Sequence, residues 1–171
     1  MDTSLQAAHT VRLSGPLSPR ARWQATGCSM ARALDVVSSR SALLILREAF
    51  YGTARFDDFA QRTGISEPVA AARLAELVED GLLAKEPYRE PGQRTRLAYR
   101  LTDKGAALFP VLVALMEWGD RWLAPDGAPV ALTHRDCGES VHIELRCAAG
   151  HQASLDELDL EAGPARQAAS S

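Results

Sequence analysis

The apolar positions of the chain change their spacing twice, and the changes mark out its elements. From about Met30 to Val78 they recur at three and four residues, the period of a helix. Ser29 is placed to cap a short helix over Met30–Val37, with Met30, Leu34 and Val37 on one side. A second helix, from about Ser41 to Tyr51, carries Leu43-Leu44-Ile45-Leu46; apolar on most sides, it is expected in the core, and Gly52 ends it. Asp57–Arg62 reads as a third helix, closed by Thr63-Gly64 with glycine in the C-cap role. Ser66 then opens a fourth. Glu67 and Pro68 occupy its first turn, where an acid complements the dipole and proline forfeits no hydrogen bond. This helix is expected to bury Val69, Leu74, Leu77 and Val78 and to end at Asp80-Gly81.

After Gly81 the pattern shifts to that of strands. Leu82–Pro87 and Leu97–Leu101 read as a hairpin with a wide tip around Pro91-Gly92. Thr102 then caps a long helix from Asp103 to about Leu123, about 31 Å at 1.5 Å per residue. Leu108, Val111, Leu112, Leu115, Trp118, Trp122 and Leu123 form a broad apolar arc on it, continued by Phe109, Val113 and Met116. One domain of this size can hardly cover so much. A second copy of the chain is therefore expected against Leu108, Leu112, Leu115, Trp118 and Trp122; the alternative is a central helix buried in its own monomer. Pro110 should kink the helix if it lies past the first turn.

The fold class that follows is mainly α (α+β): a winged helix-turn-helix, a long C-terminal dimerisation helix and a small extension with a β-hairpin pattern. Residues 1–27 read as a flexible arm, 28–123 as the DNA-binding and dimerisation domain, 124–162 as an acidic extension and 163–171 as a disordered tail. With 171 residues, 46% of them apolar, the chain fits one domain with appendages. The net charge of −3 excludes a generally basic nucleic-acid coat but not a local patch. Its distribution is uneven: residues 1–28 carry +2, residues 29–123 balance 13 basic against 13 acidic groups, and residues 124–171 carry −5. The longest apolar run, Ala106 to Met116, contains Pro110 and is too short to span a bilayer. Three cysteines make no disulfide scaffold, and with no secretory pattern they predict a cytoplasmic setting.

A short helix, a glycine turn, a capped helix and a basic hairpin suit double-stranded DNA, whose major groove admits one helix. Residues 85–104 hold six basic groups against three acids, a local excess inside an acidic protein. Candidate DNA contacts are Ser66, Glu67, Ala70, Arg73, Arg89, Arg94 and Arg96. The fourth helix offers few readers of bases: Glu67, Pro68 and Ala70-Ala71-Ala72 leave Arg73 as its one long donor. Binding should therefore rest largely on phosphate contact and be salt-sensitive. Arg73 has a second reading, as an intrahelical partner of Glu76 or another nearby acid. The hairpin has one too, as a solvated surface on a protein-docking module that has lost specific DNA binding.

Several segments resemble the HxlR family of bacterial winged-helix regulators. They are Arg32-Ala33-Leu34-Asp35-Val36-Val37, Leu43-Leu44-Ile45-Leu46-Arg47-Glu48, Arg55-Phe56, Gly64-Ile65-Ser66, Arg73-Leu74-Ala75-Glu76-Leu77 and Glu79-Asp80-Gly81-Leu82. Tyr99-Arg100-Leu101-Thr102-Asp103-Lys104-Gly105 and Glu117-Trp118-Gly119 complete the series, in order, over about Cys28 to Leu123. The resemblance implies a homodimeric transcriptional regulator of the MarR-like group on a pseudo-palindromic operator, with repression the commoner mode. It also implies a small-molecule or redox signal. In some members a cysteine at the place of Cys28 senses oxidants; the alternative is an inert, half-buried thiol. An effector pocket could draw on Trp118, Trp122, Phe50 and Tyr51, each equally well a core residue. The chain departs from the family at Ser39-Arg40-Ser41, where Gly-Lys-Trp is frequent.

The acidic extension holds His134-x2-Cys137 and Cys147-x3-His151, a spacing compatible with a tetrahedral zinc site or a degenerate, metal-free ribbon. Zinc is thus the single cofactor the sequence suggests. No nucleophile–base spacing, phosphate-cradling loop or paired carboxylates point to an enzyme.

Overall fold

The computed structural model describes residues 10–18, 28–37, 39–89, 92 and 94–163. Two compact units emerge: residues 29–143, and a second built from the chain's two ends, 1–28 with 144–171.

In the larger unit, α1 (Ser29–Val37) leads to α2 (Arg40–Phe50), whose first turn is closed by Ser39 Oγ accepting from the Ala42 amide at 3.0 Å. The α2 side of the core is Ile45 and Leu46, both without exposure. α3 (Phe56–Thr63) ends at Gly64, whose φ of +66° is the left-handed turn that glycine adopts without a Cβ clash. α4 (Glu67–Glu79) follows at once. Ser66 holds the N-cap position in extended backbone, but its hydroxyl makes no capping bond. Phe59, Leu74 and Leu77 join Ile45 and Leu46, and Leu82, Leu83 and Leu112 close the core. The buried Glu48 is satisfied there by Arg47 Nη2 at 2.8 Å and Thr53 Oγ1 at 3.3 Å.

The hairpin pairs β2 (Leu83–Tyr88) with β3 (Arg96–Leu101), antiparallel, in register from Leu83–Leu101 to Tyr88–Arg96. The Tyr99 amide, on the outer edge of β3, donates to the Ala54 carbonyl at 2.8 Å. At the hairpin's root, Thr102 Oγ1 donates to the Gly81 carbonyl at 2.6 Å and accepts from the Gly105 amide at 3.1 Å. Backbones come so close here that a Cβ on Gly105 would lie 2.1 Å from the Leu82 oxygen. Only glycine fits.

The long helix expected over 103–123 is two helices. α5 (Asp103–Ala106) stops, a turn at Ala107-Leu108 intervenes, and α6 (Phe109–Leu123) starts afresh with Pro110 in its first turn. In one continuous helix Pro110 would lack an amide to donate and its ring would press on the Ala106 carbonyl. Restarting the helix puts proline where no donor is missed. The 15 residues of α6 span about 22 Å.

In the second unit, β1 (Arg12–Leu13) pairs in parallel with β4 (Asp159–Leu160). The Arg12 guanidinium clamps Asp159 with bonds of 2.5 and 2.6 Å, and the Ser14 amide donates to Leu160 O at 3.1 Å. Leu17 and Ala162 are buried within this unit. Ser154 and Glu157 cap each other around a single 3-10 turn, Leu155–Glu157. Residues 10–18 thus depart from the flexible arm expected over 1–27; two-residue strands paired across the chain's length carry no local period. Residues 1–9, 19–27 and 164–171 lie outside the described residues. In place of the β-hairpin expected in the extension, the described residues there form isolated bridges, Thr133–Ser140 and Arg146–Gln152.

Candidate nucleic-acid interface

Helix α4 is amphipathic by small residues. Ala70, Leu74 and Leu77, at i, i+4 and i+7, face the core. Opposite them Ser66, Glu67, Pro68, Val69, Ala71 and Ala72 are exposed, the surface a groove would meet. Two expectations are corrected here. Ala70 is 0% exposed and cannot touch DNA, while Val69, expected in the core, is 43% exposed. Alanine is nearly neutral in a hydropathy pattern, so the pattern assigned the wrong face to this pair. Val78 is half-buried. Arg73 takes its second reading: its guanidinium is ion-paired with Glu76 one turn on.

The cationic side chains gather on the hairpin. Arg94 and Arg96 are exposed and, among the described residues, make no ion pair; Arg89 is exposed beside them. Arg100 pairs loosely with Glu86 at 3.7 Å, and Lys85 lies over the Tyr99 ring at 5.8 Å. Burial pushes the Tyr99 phenol above its usual range. Arg55, at the N-cap position of α3, lies over the Tyr88 ring at 5.4 Å and so braces the hairpin's outer end against the helix-turn-helix. Sequence reasoning gave Arg55 no role, since its ring partner is 33 positions away. Lys104 Nζ donates to the Asp80 carbonyl at 2.6 Å, placing a cation at the C-terminus of α4.

Of the five residues assigned to a partner chain, Leu112 is buried in its own core and Leu108 packs half-buried against it. Leu115, Trp118 and Trp122 remain outward, with Trp118 55% and Trp122 64% exposed. Val111 joins them at helical spacing to make one continuous apolar stripe. Met30 and Leu34 of α1 are exposed as well. Of the four residues suggested for an effector pocket, Tyr51 lines a cleft against α6, and Phe50 packs on Phe109 with ring centroids 4.9 Å apart. The two tryptophans do not line the cleft.

Cys28 is free and half-buried, one residue before α1. Of the four zinc candidates, His134 and Cys137 lie in the larger unit and Cys147 and His151 in the second. His134 Nδ1 and Cys137 Sγ lie 3.3 Å apart, yet among the described residues no three His, Cys, Asp or Glu side chains converge. Cys147 and His151 instead form their own backbone loop, with the Cys147 amide donating to His151 O at 3.0 Å.

This arrangement has relatives. Residues 36–127 match the HxlR-like helix-turn-helix family. The chain belongs to that family. It is a transcriptional regulator with a helix-turn-helix DNA-binding domain, and the match runs from α1 through the hairpin to the end of α6. Among HxlR-like relatives, the uncharacterized HTH-type transcriptional regulator Rv3095 of Mycobacterium tuberculosis is 43% identical over 140 residues, 81% of this chain and 87% of the relative. The crystal structure of PA1607, a candidate transcription factor, is 39% identical with a TM-score of 0.70, covering 78% of this chain and 94% of that one. The redox regulator HypR in its oxidized form is 26% identical with a TM-score of 0.50, over 55% of this chain and 96% of that one. No helix among the described residues is long and apolar enough to cross a membrane.

Proposed function

We propose that this HxlR-like regulator works as a homodimeric repressor on a pseudo-palindromic operator, responding to a small-molecule or redox signal. The observation that carries the reading is a division of surfaces. The exposed first turn of α4 (Ser66 to Val69) is followed by the unpaired wing cations Arg94 and Arg96, while the stripe Val111, Leu115, Trp118 and Trp122 offers a second copy an apolar seam. A dimer through that seam would present two α4 helices to successive major grooves, one turn or about 34–36 Å apart. Ser66, Glu67, Val69 and Ala72 would then meet the groove edge, and Arg89, Arg94 and Arg96 the flanking phosphates. Arg73 would add a base or phosphate contact by leaving Glu76. A dimer held across a promoter represses by occupancy.

For the signal, the reading is supported by Cys28 beside a helix N-terminus and by the likeness to HypR, a redox regulator. Equal operator affinity with Cys28 reduced, oxidised or changed to serine would remove the thiol version.

The test of the whole reading is binding to the DNA upstream of the protein's own gene across a salt series, wild type beside Arg94→Ala/Arg96→Ala. Nanomolar binding with a steep salt dependence is expected, and losing two phosphate contacts from each of the dimer's two wings, four in all, should flatten the log–log slope by about 3.6. Affinity no better than for random DNA, with the slope unmoved by the double change, would turn the wing toward a protein partner instead.

A further inference from the structure

Helix α6 has a second apolar side, roughly opposite the stripe with its tryptophans. Phe109, Val113 and Met116 face a cleft of about 830 Å³, a size typical of drug-sized ligand sites. The facing wall comes from the segment after the helix, where Val130, Leu132 and Val141 supply apolar surface. Tyr51 closes one end, with its hydroxyl 3.9 Å from the Met116 sulfur. Glu117 ties the facing segment to α6: it accepts from the Ile143 amide at 3.2 and 3.3 Å and lies 3.2 Å from His142 Nδ1. Residues 128–142 lie beyond the family match, so this wall belongs to the chain's own extension.

The charge on the lining is lopsided. Glu117 and Asp120 stand one turn apart on the α6 wall, against the single full cation Arg121. Arg121 is drawn over the Trp122 ring at 5.0 Å, and Trp122 belongs to the opposite stripe. The Asp120 carboxylate makes no hydrogen bond or ion pair among the described residues. An apolar cleft with aromatic, thioether and aliphatic walls and an uncommitted carboxylate at its rim favours one ligand chemistry. We propose that the cleft between α6 and residues 128–142 binds a lipophilic organic cation, its apolar body against Phe109, Met116 and Val141 and its charge toward Asp120. A hydrophobic anion of the same shape would meet Asp120 and Glu117 with like charge. The ligand's role as the regulator's effector rests on the function proposed above; occupancy of the cleft does not.

The test separates the two. Calorimetry without DNA compares tetraphenylphosphonium with tetraphenylborate, near-isosteric ions of opposite sign. Binding of the cation at one per chain, at least about tenfold tighter than the anion, is expected. Asp120→Asn should weaken it by about threefold to tenfold at physiological salt. Ala131→Trp, which plugs the cleft from its exposed wall, should abolish it, and Trp118→Ala on the opposite stripe should leave it unchanged. Equal affinity for the two ions overturns the proposal. So does loss on Trp118→Ala with Ala131→Trp unaffected, which would put the cation on the outer stripe. If tetraphenylphosphonium binds as expected and operator affinity is the same with and without it, the cleft stands as a binding site and its effector role falls.

Discussion

Helix α4 and the hairpin that follows it meet solvent with opposite chemistry. The exposed side of α4 is a serine, a glutamate, a proline, a valine and alanines, and its one arginine is tied to Glu76. The hairpin exposes Lys85, Arg89, Arg94, Arg96 and Arg100 over a span of 16 residues. The helix is anchored by Ala70, Leu74 and Leu77 without exposure or nearly so, whereas the hairpin is held at its root and braced by ring contacts at Tyr88 and Tyr99. Shape and charge are thus carried by different elements. In the proposed DNA complex, shape would set which groove geometry is accepted, and charge how tightly and at what salt concentration.

This contrast can be broken from outside first. Leu115→Asp should open the α6 seam, giving monomers at micromolar concentration by sedimentation velocity and lowering operator affinity by about 100-fold or more, since two linked half-sites become one. Next comes the root that sets the wing beside α4. Gly105→Ala should cost about 1–3 kcal/mol by urea unfolding, because the Leu82 backbone must move to admit a methyl. Gly119→Ala, whose Cβ would meet nothing within 4 Å, serves as the control and should gain up to about 1 kcal/mol. A smaller effect sharpens the division between shape and charge. Glu67→Gln removes the acid nearest the groove, and fluorescence anisotropy should show affinity rising by about twofold to fivefold. The smallest effect lies away from both elements. The side-chain bonds from Arg12 hold the Asp159 carboxyl below its usual range. A carboxyl so lowered stabilises the fold above the ordinary carboxylate range and loses that contribution as pH falls through its own value. The protection of the Ser14 amide from hydrogen exchange, measured against the intrinsic rate at each pH, should therefore persist at pH 5, fall only in stronger acid, and lose this pH dependence in Arg12→Gln.

Much of the winged domain was legible because its signals are local. Ser39 and Thr102 at helix starts, Gly64 at a helix end and the shift in spacing after Gly81 each dictate a conformation within a few residues. What the sequence concealed had one of three physical causes. Some of it was small: Ala70 buries a methyl as completely as Leu74 buries its side chain, yet adds almost nothing to a hydropathy period. Pro110 was also ambiguous, since the same residue kinks a helix from within or starts one, and only the turn at Ala107-Leu108 decides. The rest was distant. The Arg55–Tyr88 stacking, the Arg12–Asp159 clamp and the cleft wall at 130–141 all join residues with no shared period. The zinc reading rests on spacing along the chain, which does not fix whether two loops close on one point.

A hairpin of two strands consists entirely of edges, and edges invite further strands. Here both are spoiled. On β3 the outward Tyr99 amide is already taken by the Ala54 carbonyl. On β2, Pro87 has no amide to offer an incoming strand, and the exposed Lys85 and Glu86 beside it would be desolvated by one. When many copies crowd onto neighbouring sites along a chromosome, wings can touch without growing into a common sheet. A few positions along the two strands therefore keep the protein from aggregating through its wing.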